Sequence, residues 1–223
     1  MSRIARIIYP GYPHHIVQRG NNKQCVFRDS QDKQFYLSLL KKYSFQCGCK
    51  THAYCLMPNH IHLLLVPTQE ISLAKTMQKL SLTYTQYINK KYNRSGRLWE
   101  SRYYSSLIDK ESYLWSVCIY IEQNPLRAGI TNDATKYMWS SAKINCGLIQ
   151  SNFVEPIWKE YLDKNDYQRL LSECLQKTKT KKIRVTLSKS IPLGSEEFLY
   201  KMVDKFGEAI IPKPRGNPHR KKS

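Results

Sequence analysis

The chain has 223 residues, with 36 Lys and Arg against 17 Asp and Glu, a net charge of +19. Hydrophobic residues make up 41% and aromatics 12%, enough for a packed core at a mean hydropathy of −0.55, which excludes wholesale disorder. Such a charge resists compaction and points to a polyanionic partner, nucleic acid first; the longest apolar run, 63–66, is too short to span a bilayer, and 1–13 lacks the apolar stretch of a signal peptide, so a cytoplasmic chain is expected.

Residues 14–19, His-His-Ile-Val-Gln-Arg, read as a first strand that Gly20-Asn21-Asn22 ends. Asp29 or Ser30 then offers an N-cap, and Phe35, Leu39 and Tyr43 recur at helical spacing, with Tyr36 and Leu40 beside them, predicting an amphipathic helix over 31–45. Residues 51–56 and 60–66 read as two strands joined by Met57-Pro58-Asn59, and Pro67 stops the second. Leu73, Met77, Leu80, Tyr84 and Tyr87 are one apolar stripe and predict a helix over 71–92 that packs on a core. Asn93-Arg94-Ser95-Gly96 breaks it, 98–108 is aromatic and β-prone, and Asp109 is the expected N-cap of a helix over 110–124 closed by Pro125 and Gly129. The order strand, helix, strand, strand, helix, strand predicts an α+β fold: a ferredoxin-like, RRM-like four-stranded antiparallel sheet with helices on one face, the last helix lying on the other.

Beyond 130 the pattern weakens. Trp139-Ser140-Ser141 and Trp158 indicate further packed segments, and 177–189 holds six basic residues and no acidic one. Ser195 as N-cap, Glu196 and Glu197 in the first turn, an apolar stripe from Leu199 to Phe206 and Gly207 as stop predict a short helix, followed by a basic tail. The expected division is a first, α+β domain over 1–145 and a mainly helical, basic extension over 146–223. Cys25, Cys47, Cys49, Cys55, Cys118, Cys146 and Cys174 are odd in number and contain no Cys-x-x-Cys pair, which favours buried free thiols over a disulfide framework or a zinc site.

His60-Ile61-His62 lies on the predicted third strand, where residues i and i+2 share a face, so both imidazoles are within reach of one metal ion. Spacing alone leaves metal binding and a structural role level. On the last predicted core helix Tyr120 and Asn124 are about 40° apart and Glu122 is about 200° from Tyr120. Leu114, Val117 and Ile121 form the buried stripe, with Tyr120 at its edge. A tyrosine there either anchors the helix or shows its hydroxyl to a cleft.

His60 and His62 within CLMPNHIHLLLVP, together with Tyr120 within YIEQNPLRAGI, resemble the Y1 transposases of the IS200-like class, members of the HUH endonucleases. GRLWESRYYSSLI, the Tyr-x-Glu-x-Asn-Pro-x-Arg-Ala-Gly run, Trp139-Ser140-Ser141 and IPLGSEEF are similar to one branch, the REP-associated tyrosine transposases. The resemblance implies His60 and His62 as metal ligands, Asn124 as a third, and Tyr120 as the nucleophile. It implies cleavage of single-stranded DNA beside palindromic hairpins, a 5′-phosphotyrosine intermediate and a free 3′-hydroxyl. Magnesium or manganese suits a phosphate substrate. The partner expected is a single-stranded DNA hairpin, with the protein a monomer or a homodimer.

For the DNA itself, Arg97 and Arg102 could track phosphates while Tyr103 and Tyr104 stack bases, or the same segment is an ordinary strand with aromatic cross-strand pairs. Pro214-Arg215-Gly216-Asn217-Pro218 resembles an AT-hook core in which Asn217 replaces an arginine, and Arg215 would enter a minor groove; the alternative is a solvated tail making unspecific phosphate contacts. Two rivals stand beside this reading: a non-catalytic hairpin-DNA or RNA-binding protein on the same fold, and an HUH nuclease of the replication-initiator or relaxase kind.

Overall fold

The computed structural model describes residues 6–156, 163–173 and 175–210. β1 (His14–Arg19), β2 (Cys49–Met57), β3 (His60–Pro67) and β4 (Tyr104–Leu107) form one antiparallel sheet in the order β2-β3-β1-β4. This is the expected ferredoxin-like arrangement. Helix α1 (Ser30–Cys47) is started by Asp29, whose carboxylate accepts from the Asp32 N–H while Asp32 accepts from the Asp29 N–H. Gly48, with φ of 71°, ends it in a left-handed turn. α2 (Ser72–Lys91) falls where its apolar stripe puts it.

Alternation along the strands divides the core in two. Ile61, Leu63 and Leu65 of β3 join Ile16, Leu40, Met77 and Tyr84 beneath α1 and α2. Leu64 faces the other way and packs with Ala53, Val117, Cys118 and Ile121 beneath α3 (Leu114–Glu122), the last core helix, on the expected opposite face. Both sheet edges are also covered, which removes exposed pairing templates. Beside β2 the Leu56 N–H donates to Trp139 O and the Ser141 N–H to Tyr54 O; beside β4 the Leu193 N–H donates to Leu107 O and the Asp109 N–H to Leu193 O.

Two elements differ from expectation. β4 pairs only from Tyr104, not from 98, because 98–103 meets the sheet through isolated bonds such as Glu100 N–H to Arg19 O, with Leu98 and Trp99 buried as side chains rather than paired as a strand. α3 begins at Leu114, not 110, because the Asp109 carboxylate closes a turn instead: it accepts from the Glu111 N–H, the Ser112 hydroxyl, and the N–H and hydroxyl of Ser195. Ser195 in turn caps the C-terminal helix seen in the sequence.

After α3, Gln123 is a joint into α4 (Asn124–Arg127). Pro125 has no N–H for the Ile121 carbonyl, and the Asn124 side chain supplies one, donating to Ile121 O at 3.1 Å and Tyr120 O at 3.0 Å. Among the described residues four further α-helices follow: α5 (Ala142–Asn145), α6 (Lys164–Ser172), α7 (Lys177–Lys189) and α8 (Glu196–Phe206). α7 is the basic run; it buries Ile183, Thr186 and Leu187 and packs across β4, β1 and α3. The six described cysteines are free. Among the described residues no helix is long and apolar enough to cross a membrane.

Candidate active site

The β1–β3 register sets His15 opposite Leu64, Val17 opposite His62 and Arg19 opposite His60, so His15, His60 and His62 share the face that α3 covers. His15 Nε2 lies 3.0 Å from His62 Nδ1, and the His60 Nδ1–H donates to Asn59 Oδ1 at 2.7 Å. Ring centroids are 5.1 Å apart for His60 and His62, 5.9 Å for His62 and Tyr120, and 5.7 Å for His15 and Tyr120. The two predicted histidines and the predicted tyrosine therefore meet, with a third histidine beneath them.

Burial is the main reason these imidazoles resist protonation. It lowers His60 to about 4, helped by the charge of Arg19. It lowers His15 to about 3, helped by Arg127. His62 is held well below its ordinary value by burial, then by His15, His60 and the two arginines. All three are neutral near pH 7, the form that ligates a metal. The Nδ1 of His60 and of His62 is engaged, which leaves Nε2 of each ring as the nitrogen with no partner among the described residues. A hydrogen bond to one ring nitrogen is what orients the other toward a cation. Among the described residues no group of three or more His, Cys, Asp or Glu side chains is arranged to hold a metal ion by itself. Two neutral imidazoles are a donor pair that a divalent cation could take, with oxygen ligands filling its remaining positions. Asn124 spends its amide N–H groups on the end of α3, leaving Oδ1 as the atom it could offer.

Tyr120 is more deeply set than the helix edge expected for it, at 4% exposure. The Arg127 guanidinium lies 4.1 Å above its ring and donates to its carbonyl. Arg184 of α7 brings Nε to 3.4 Å from its hydroxyl. Glu122, as its angle requires, turns away: it accepts from Ser141 Oγ and Asn145 Nδ2, both at 2.6 Å, and from the Tyr167 hydroxyl at 2.7 Å. Burial raises its carboxyl to about 7 against those three bonds.

The expected DNA-contacting residues separate. Tyr104 is partly exposed on the same sheet face as the histidines, opposite Val17. Arg97 and Arg102 are exposed in the segment before β4. Tyr103 is a correction: it is a core residue with Arg6 stacked 4.0 Å over its ring, so it presents no free face to a base. Arg215, like Trp158 and Cys174, lies outside the described residues. Three residues at the site were not singled out from the sequence: His15, Arg127 and Arg184. Arg127 stands in the motif that carries Tyr120. Arg184 has a faint local signal, because Ile183 and Leu187 are one helical turn apart within the basic run.

The profile of the family described as "Transposase IS200 like" matches residues 9–124, just over half of the chain, and takes in both histidines and the tyrosine. The chain belongs to the IS200-like transposase family. A protein of Haemophilus influenzae (strain ATCC 51907 / DSM 11121 / KW20 / Rd), provisionally named a REP-associated tyrosine transposase, is 28% identical to this IS200-like transposase over 117 residues. That match covers 48% of the chain and spans 64% of the relative's length. Among solved structures, a REP-associated tyrosine transposase bound to a REP hairpin superposes with a TM-score of 0.57 at 14% identity, covering 70% of this chain and 99% of that one. At that identity the likeness is one of fold.

Proposed function

We propose that this IS200-like transposase is a REP-associated, Y1-type HUH endonuclease that cleaves and rejoins single-stranded DNA beside a hairpin. The observation that carries the reading is the convergence of His60, His62 and Tyr120 on one sheet face, within a family of transposases. In this reading Tyr120 Oη attacks the scissile phosphorus, the P–O3′ bond breaks, and the protein keeps the 5′ end as a phosphotyrosine; a second 3′-hydroxyl reverses the step. His60 and His62, with Asn124 Oδ1, would hold Mg²⁺ or Mn²⁺. When bound, that cation polarises a phosphate oxygen and neutralises charge developing on it. His15 fixes the His62 ring through Nδ1, Asn59 fixes His60, and Arg127 fixes the plane of the Tyr120 ring. Arg97, Arg102 and Tyr104 extend the strand-binding surface. With DNA as its substrate the protein would work in the cytoplasm, at the nucleoid, and residues 1–145 carry the chemistry with 146–223 as an accessory region.

The test is a labelled hairpin with a single-stranded flank, incubated with Mg²⁺ and resolved under denaturing conditions. The wild type should yield a covalent protein–DNA adduct that EDTA prevents, and Tyr120→Phe should bind the hairpin and form none. An adduct that persists in Tyr120→Phe sinks the assignment and turns attention to Tyr113. A wild-type protein that binds the hairpin but never forms an adduct is the non-catalytic binding protein instead.

A further inference from the structure

Two guanidinium groups bracket Tyr120 and no carboxylate answers them. Arg184 Nε faces its hydroxyl at 3.4 Å. Arg127 covers its ring, and the Nε and Nη1 of Arg127 are buried with no partner. Neither arginine forms an ion pair among the described residues. Glu122, on the same helix as Tyr120, is spoken for by Ser141, Asn145 and Tyr167. The buried Nε and Nη1 of Arg127 are costly to leave unpartnered unless an anion completes them. The one reacting group between the two arginines is an oxygen that must meet a phosphodiester.

We infer that Arg184, carried by α7 outside the segment that matches the family, is a further catalytic residue that binds a non-bridging oxygen of the scissile phosphate. Arg127 is a positioning residue that fixes the nucleophile's ring. The inference rests on the transposase reading above. As the Tyr120 oxygen bonds to phosphorus and the P–O3′ bond breaks, the phenolic proton leaves to water and the departing 3′-oxygen takes one up from water, so no co-reactant is needed. Negative charge concentrates on the non-bridging oxygens in between, where a planar guanidinium fork is worth most. The Arg184 side chain is exposed, so it can turn from the hydroxyl to the phosphate while Ile183 and Leu187 keep α7 seated.

The experiment is single-turnover adduct formation on a saturating hairpin substrate with Mg²⁺, comparing wild type, Arg184→Ala, Arg184→Lys and, as a charge control at the far end of the same helix, Lys177→Gln. Arg184→Ala should slow the adduct about 10²-fold or more, with free guanidinium restoring part of the rate, and Arg184→Lys should fall between. Lys177→Gln should react like the wild type. When the scissile phosphate is a neutral methylphosphonate, the gap between wild type and Arg184→Ala should close. Adduct formation by Arg184→Ala at the wild-type rate overturns the assignment, and so does a gap that is unchanged on the methylphosphonate. A wild type that forms no adduct on either substrate overturns the transposase reading and this assignment with it.

Discussion

At the scale of single residues, the site is a stack of contacts in which each functional atom is held by a neighbour. His62 is the clearest case. Its Nδ1 meets His15 at 3.0 Å, and His15 is wholly buried on the adjacent strand. A phenylalanine at 15 keeps the bulk and loses the contact. His15→Phe should weaken cation affinity 10- to 100-fold, the usual effect of removing such an outer partner, seen as a higher Mg²⁺ concentration for half-maximal adduct and not as a lower plateau. An unchanged requirement would make His15 a packing residue only. His60→Ala and His62→Ala should each abolish the adduct at any Mg²⁺ concentration.

Secondary-structure elements are where the sequence spoke most unevenly. β1, α1, β3 and α2 were legible because their apolar positions repeat with one clean period, and the His60–His62 pairing follows from strand alternation alone. β4 was not, since Trp99 and Tyr103 are aromatic for burial rather than for pairing. The start of α3 was missed because the fate of the Asp109 carboxylate depends on Ser195, 86 residues away. His15 belongs to the site only through strand register, a non-local fact. Arg184 is one of six basic residues in the 177–189 run, and little local sets it apart as the one that reaches Tyr120. Glu122 shows the same dependence: it ties α3 to α5 and α6 through three buried donors. Glu122→Ala leaves those donors unmatched, and the loss should be on the order of 3 kcal/mol. Urea unfolding with the adduct assay alongside would show it. Full stability in the variant would mean water replaces the carboxylate without cost.

For the whole molecule, charge and titration set the working conditions. Burial holds His14 and His60 at about 4 and His15 at about 3, below their unfolded value, so the unfolded chain takes up protons first as pH falls. Their stabilising effect is complete above about 6.5 and drains away toward pH 4. Glu122, raised to about 7, acts oppositely, its contribution fading as pH climbs through neutrality. Three imidazoles outweigh one carboxyl. The melting midpoint in metal-free buffer should therefore rise between pH 4 and 6.5 and flatten above, with a shallower rise in His14→Gln; a midpoint that is level across that range would contradict the burial of these rings. The net charge of +19 predicts a steep fall of hairpin affinity with salt, by roughly a thousandfold between 50 and 200 mM for about six phosphate contacts. A truncation should begin after Ile210, which is buried against Leu107, Phe198 and Met202, and removing 211–223 should flatten the slope while sparing cleavage.

The seat of Arg184 beside Tyr120 also has a meaning in time. A ribosome delivers the histidines, the tyrosine and Arg127 early, and 57 residues separate Arg127 from Arg184. At about 5 to 20 residues per second, that interval lasts roughly 3 to 11 seconds. During it the nascent chain carries the His60–His62 pair and a Tyr120 hydroxyl that has no arginine from α7 beside it. Leu193, which covers the β4 edge, and Ser195, which closes the Asp109 turn, arrive later still. On the proposed reading, a prematurely terminated product ending before α7 would hold the segment that matches the family without Arg184 beside Tyr120.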